Sequence, residues 1–377
     1  MDYTFITGMF RSGTTLLARM LNTHSRIACA SDPMRPLFNS FRYTIAAEEY
    51  KRTHSRSDPL DDYFLSNTGL LRKILKADFG VALEEAPHEL FQAVKERGMP
   101  LSGLWAASLD THRDFNTYRD FVAYGLEHIR EVYDRNKDIK VIAFKEVWSN
   151  EFVSAFINSF PGSKAVVLIR DPRAVTASNI ASGGKYPIFF LTRQWRKLAF
   201  LADYLKKEWA GEIHVLKYED LVDDPEAEVR KLCEFVGLPF EEELLDINNY
   251  LDGDNKSWRQ NTNYGYTTKQ RINGDSLDRW RQMLKRPELI EVELIARDWM
   301  EYFGYEPLYP VNALLGSHFS EFRRWPTSEL SQWIRPYSFD EKEDVFAVEV
   351  AKEKARLLSA YTEAQLTDVD KFVLQIQ

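Results

Sequence analysis

Cysteine is nearly absent: Cys29 and Cys233 are the only two in 377 residues. Two are too few for a disulfide framework, and their scarcity fits a reducing compartment. Long hydrophobic runs are also missing, and no stretch approaches the ~20 apolar residues that a membrane span requires. Nor is there an excess of positive charge, since 49 Lys and Arg stand against 57 Asp and Glu, a formal net charge of -8. A general nucleic-acid binder grips phosphates with clustered cations, so that class is set aside and any anion site must be local. Residues 1 to 8 lack the basic and apolar regions of a secretory leader. A cytoplasmic protein without membrane or nucleic-acid partners is the expectation.

What the chain does have is ordinary globular composition, 44% hydrophobic and 28% charged. Tyr3-Thr4-Phe5-Ile6-Thr7 reads as a short buried strand, followed by a turn at Gly8 and a helix from about Thr14 to Asn22. Residues 36–139 carry helical spacing instead, as in Phe115, Tyr118, Phe121, Val122, Leu126, Ile129 and Tyr133. Strands return at 140–144, 165–169 and 213–217, with helices between them. The fold class this implies is α/β, a P-loop-type parallel sheet flanked by helices with a largely helical insertion at about 36–139. Residues 1–308 form the main domain, and 309–377 read as a helical appendage or as an element for homo-oligomerisation.

Two constellations carry chemistry. The first, Gly8-Met9-Phe10-Arg11-Ser12-Gly13-Thr14-Thr15, lies between strand and helix, where backbone N–H groups and a helix N-terminus can cradle an anion. Its glycine spacing is that of a nucleotide-triphosphate loop, but Thr14 stands where that loop requires Lys. A magnesium triphosphate is therefore disfavoured. Arg11 can place a planar charged fork on a phosphate or sulfate, with hydroxyls from Thr14 and Thr15; the bland alternative is an ordinary turn. The second is Arg170-Asp171-Pro172 through Ser178, where a strand delivers Arg170 to its carboxyl edge and a helix begins. Alone, it is a capped helix with surface charge; paired with the first, it is a second phosphate site on one nucleotide.

These residues resemble the sulfotransferase family. The loop Arg11-Ser12-Gly13-Thr14-Thr15 is similar to the family's 5′-phosphosulfate loop, and Arg170 to Ser178 to its 3′-phosphate motif. The resemblance implies 3′-phosphoadenosine-5′-phosphosulfate (PAPS) as donor and adenosine 3′,5′-bisphosphate (PAP) as product. It covers roughly residues 3–35 and 140–285. Lys217-Tyr218-Glu219-Asp220-Leu221 resembles a further segment in which the Tyr helps hold the nucleotide, and the late segment around Lys269 and Arg271 resembles one that closes over it. Either basic residue there also reads as part of a solvated loop.

Spacing most resembles the tyrosylprotein sulfotransferase branch, with an acidic base about twenty residues beyond the loop's Arg and a Lys 25 residues before the second motif's Arg. Asp32 and Lys145 stand at those positions. The chain departs from that branch in having Asp rather than Glu, and in a longer segment between the two. The resemblance implies an in-line displacement, resting on positioning and charge stabilisation as in phosphoryl transfer. Asp32 would take the acceptor proton, and Lys145 and Arg11 would stabilise the leaving phosphate. No metal is required, the cations being side chains. The competing readings are a turn residue for Asp32 and a surface ion pair with Glu146 for Lys145. Some members of the wider family use a histidine base, for which His112 is the candidate; His24 and His128 read as packing residues.

The implied function is transfer of a sulfuryl group to a hydroxyl or amine of a small molecule, natural products being the class in view. The alternative is sulfation of a peptide tyrosine, and more distant ones are a P-loop kinase or a nucleotide-binding protein without turnover. Phe38, Phe41, Tyr43, Tyr63 and Phe64 line either an acceptor pocket or a core.

Overall fold

The computed structural model describes residues 1–50, 68–83, 87–110, 113–134, 138–184, 186–258, 260–261, 265–266 and 277–309. At its centre is a sheet built from β1 (Asp2–Gly8), β2 (Ile27–Ser31), β3 (Val141–Val147), β4 (Lys164–Ile169) and β5 (Ile213–Lys217). The five strands are all parallel, in the order β2-β3-β1-β4-β5. Strands of a parallel sheet are covered on both faces, which explains the unbroken apolar run Ala165 to Ile169 in β4, buried throughout.

Helix α1 (Thr14–Thr23) covers one face. Over the other lie α2 (Arg35–Tyr50), α3 (Thr68–Lys76), α4 (Pro87–Gly98), α5 (Gly103–Ala107), α6 (Tyr118–Tyr133) and α7 (Val153–Ser159). After β4 come α8 (Pro172–Ala181) and the long α9 (Ile188–Glu208); after β5 come α10 (Tyr218–Asp223), α11 (Pro225–Val236), α12 (Trp280–Met283) and α13 (Arg286–Tyr302). A small antiparallel pair, β6 (Gln260–Asn261) and β7 (Gly265–Tyr266), stands apart from the sheet. The strand alternation sorts the core: Ile6, Ala143 and Val166 pack with Leu17, Leu21, Leu232 and Val236 of α1 and α11, while Phe5, Phe144 and Val167 pack with α2, α6 and α9.

The expected α/β fold is what forms, and the regular elements described within residues 36–139 are helices, joined by turns and by one isolated bridge between Ala82 and Thr117. Two details differ. An edge strand, β2, lies between the first helix and Asp32. The strand expected at 140–144 continues to Val147, so Lys145 and Glu146 lie inside β3 rather than on the surface. Of the two readings of the aromatics, Phe38 and Phe41 take the core one: both are fully buried, Phe38 stacked on Phe144 and Phe41 edge-on to Phe79. Tyr63, Phe64 and the appendage beyond Tyr309 lie outside the described residues.

From β1 the chain moves to the edge strand β2 and returns inward to β3, then crosses β1 to build β4 and β5 on its other side. The strand order therefore reverses at β1, and the crevice beyond its carboxyl end is where ligands collect in open α/β sheets. Among the described residues no helix is long and apolar enough to cross a membrane.

Candidate functional site

The loop after β1 is wound tightly. The N–H and the hydroxyl of the fully buried Ser12 both donate to the Met9 carbonyl, at 3.0 and 2.6 Å. Ser12 thus shapes the loop from inside. Arg11 adopts a left-handed backbone, φ 69°, and its guanidinium lies over the Phe10 ring, 4.4 Å from the centroid. Gly13, φ 94°, is the N-cap of α1, and no side chain caps that helix. The first backbone N–H groups of α1 thus point toward the crevice with the helix dipole behind them, which favours an anion. Thr14 is buried and Thr15 half-buried at this end.

The second motif folds against the first. Arg170, immediately beyond β4, donates from Nη1 to the Arg11 carbonyl at 2.8 Å. Its guanidinium also lies 4.3 Å from the Tyr218 ring centroid. Tyr218, immediately beyond β5, covers Gly13 so closely that a Cβ there would come within 2.4 Å of the ring. Arg11, Gly13, Arg170 and Tyr218, distant in sequence, therefore form one cradle. Asp171 caps α8 by accepting from the Arg173 N–H, with Pro172 in the first turn, and its own N–H donates to Glu219 at 2.9 Å. Glu219 also accepts from the Tyr305 hydroxyl at 2.8 Å, so α10 anchors the start of α8. Ser178 is buried on α8, two turns beyond Arg170.

Asp32 and Lys145 are brought together. Lys145 Nζ donates to Asp32 Oδ2, both residues being buried. The backbone secures the pair: the Asp32 N–H donates to the Lys145 carbonyl, and the Val147 N–H donates to Asp32 Oδ1 at 3.3 Å. Asp32, φ 49°, stands just past β2, and Trp148, φ 58°, just past β3. The surface ion pair between Lys145 and Glu146 does not form. Glu146, on the opposite face of β3, is completely buried and accepts from the Met34 N–H. Burial, and secondarily the charge of Asp32, push its carboxyl up to about 8.

His24 and His128 are packing residues, as read: His24 bonds to the Pro239 carbonyl and His128 to Ser108 and the Trp105 carbonyl. His112, Lys269 and Arg271 lie outside the described residues. Sequence reasoning missed Glu146, Glu219 and an aromatic cluster beside Arg11: Trp148 lies tilted against Phe10 and edge-on to Tyr186, at centroid distances of 5.6 and 4.7 Å. The available signal was position, because each lies within a few residues of a charged residue at a strand's carboxyl end. Among the described residues no group of His, Cys, Asp and Glu is arranged to hold a metal ion.

Comparison with known proteins identifies a family. A family model described as the sulfotransferase family matches residues 4–242, and one described as a sulfotransferase domain matches 195–304. The omega-hydroxy-beta-dihydromenaquinone-9 sulfotransferase of Mycobacterium bovis is 27% identical over 173 residues, 42% of this chain and 43% of that protein. The protein-tyrosine sulfotransferase A of Caenorhabditis elegans is 27% identical over 157 residues, 39% of this chain and 40% of that protein. The chain thus matches less than half the length of these curated relatives. Among solved structures, the sulfotransferase domain of the Synechococcus PCC 7002 olefin synthase shares the fold, with a TM-score of 0.50 and 20% identity over 82% of this chain and 96% of that domain.

Proposed function

The chain belongs to the sulfotransferase family, and from that premise we propose that it moves the sulfuryl group of PAPS to a hydroxyl or amine of a small molecule, releasing PAP. The observation that carries the reading is the joined cradle, in which Arg170 bonds the Arg11 carbonyl and stacks on the same Tyr218 that closes over Gly13. The cradle suits a ligand with anionic groups at both ends. The bare N-terminus of α1, with Arg11, Thr14 and Thr15, would take the 5′-phosphosulfate; Arg170 and Ser178 would take the 3′-phosphate, and Tyr218 would flank the nucleotide. Lys269 and Arg271 are assigned to the segment that closes over the nucleotide, on the resemblance alone.

Asp32 takes the acceptor proton at a carboxylate oxygen, and Lys145 and Arg11 bind the oxygens of the departing 5′-phosphate as charge moves onto it. Lys145 is paired with Asp32, which holds both groups together at the carboxyl end of the sheet. Thr14 in place of the loop Lys speaks against a kinase, and the Asp32–Lys145 pair against a binder without turnover.

The relative from M. bovis, named for a hydroxylated menaquinone, supports a small-molecule acceptor. The relative from C. elegans, named for protein tyrosine, supports the second reading, a peptide tyrosine. Release of PAP from PAPS, screened across phenols, alcohols, amines and a tyrosine peptide, separates the two. Asp32→Asn should slow turnover by ~10²-fold or more with PAP affinity nearly unchanged. Loss of activity in His112→Ala but not in Asp32→Asn would move the base to His112.

A further inference from the structure

Asp32 holds a left-handed backbone, φ 49°, which an L residue keeps only where its surroundings over-determine it. The surroundings are the last residues of β3. The turn Asp32-Pro33-Met34-Arg35 bonds to them repeatedly: the Asp32 N–H to the Lys145 carbonyl, the Val147 N–H to Asp32 Oδ1, the Arg35 guanidinium to the Val147 carbonyl, and the Met34 N–H to Glu146 Oε1. Three of these bonds end on the backbone of β3. The fourth ends on a side chain, and Glu146 is a costly choice for it. The residue is 0% exposed, and its other oxygen, Oε2, has no hydrogen-bond partner among the described residues. An apolar side chain would fill the site without that cost, and a carboxyl kept there is expected to have work to do.

We propose that Glu146 is a positioning residue for Asp32, clamping the Asp32–Met34 turn from the face of the sheet opposite Lys145 so that the Asp32 carboxylate stays aimed at the acceptor. The proposal rests on the reading of Asp32 as the base. The charge of Glu146 matters to the clamp. The charged groups acting on it are Asp32 on the turn, Arg35 at the start of α2 and Lys145 on its own strand. Raised to about 8 by burial first and by Asp32 second, the carboxyl is mostly neutral at pH 7 and leaves Lys145 to Asp32. As pH rises through that value it becomes a second negative charge beside Asp32. It then competes for Lys145 and opposes the anionic donor.

The test uses the full chain, with turnover read as PAP release from PAPS with the best acceptor from the screen, and PAP affinity read by calorimetry. Glu146→Ala should lower kcat by about 10- to 100-fold while PAP affinity stays within about threefold. Glu146→Gln, which retains an acceptor for the Met34 N–H, should restore kcat at pH 7 to within about threefold of wild type. The wild type should lose activity as pH passes about 8, and the Gln variant should not. Wild-type kcat in the Ala variant overturns the clamp, as does a Gln variant no better than Ala. Should the Ala variant fail to fold, an alkaline fall retained by the Gln variant overturns it alone. Asp32→Asn run alongside separates the failures. If that variant is slow and Glu146→Ala is not, only the clamp falls; if Asp32→Asn turns over like wild type, the base reading falls and the clamp with it.

Discussion

Arg11, Asp32 and Trp148 all have left-handed backbones, φ 69°, 49° and 58°, and each stands just beyond the carboxyl end of a strand, β1, β2 and β3 respectively. Such a conformation costs an L residue roughly 1–2 kcal/mol, and each is secured by hydrogen bonding. Arg170 holds the Arg11 carbonyl, the Asp32 N–H donates to the Lys145 carbonyl, and the Trp148 N–H donates to the Gly8 carbonyl. Strain of this kind collected at one sheet edge marks a site where geometry is set against local preference. Gly13 pushes the point further, since its φ of 94° and the Tyr218 ring beside it exclude a side chain. Gly13→Ala should therefore displace Tyr218, lowering PAP affinity about tenfold or more and reducing the melting temperature. Calorimetry with PAP and a thermal melt check this, and wild-type values in both would mean that the ring is not a fixed wall of the cradle.

At the scale of elements, the site depends on how α8 and α10 are fixed to the ends of β4 and β5. Glu219, in the first turn of α10, accepts from the Asp171 N–H and the Tyr305 hydroxyl. Arg173 extends the anchoring by pairing with Asp171 and with the buried Glu293 of α13. Arg170 therefore leaves β4 into a turn held on two sides. Removing Glu219 strands a buried N–H, a loss of about 1–3 kcal/mol, and frees the turn that aims Arg170. Glu219→Ala is expected to weaken PAP binding several-fold although the residue is not assigned to the nucleotide, with the loss visible in equilibrium titrations. Unchanged affinity would leave Arg170 positioned by β4 alone.

For the whole molecule, donor specificity is a matter of which anions the crevice accepts. A ligand that binds only the folded state stabilises it by mass action, about 2.7 kcal/mol at a hundred times Kd. PAP should raise the melting temperature by several degrees, and ATP with magnesium by much less, because Thr14 replaces the Lys that a triphosphate loop needs. Equal shifts from the two ligands would overturn PAPS as donor. The same scale shows why so much charge is buried near the site. Glu151, for example, is enclosed with Arg42 and Lys197, and such a triad is tolerated only when each charge meets another.

The fold class and the strand-turn-helix form of the Arg11 and Arg170 segments were legible in the chain itself, because they rest on local physics; reading the two as phosphate motifs rested on the family resemblance. Apolar runs such as Ala165 to Ile169 specify buried parallel strands, and glycine with Asp-Pro punctuation marks turns and helix starts. The strand β2 was not legible. Ile27-Ala28-Cys29-Ala30-Ser31 is short and mostly small, and becomes a strand through its pairing with β3. Side-chain partners were less legible still. Lys145 and Glu146 are neighbours in sequence, and a surface pair was the competing reading for them, yet a strand sends successive side chains to opposite faces. Once β3 extends to Val147, Lys145 meets Asp32 and Glu146 meets Met34. Composition and local pattern determined which residues could carry chemistry; only the tertiary structure decided which of them face one another, because strand pairing joins positions more than a hundred residues apart.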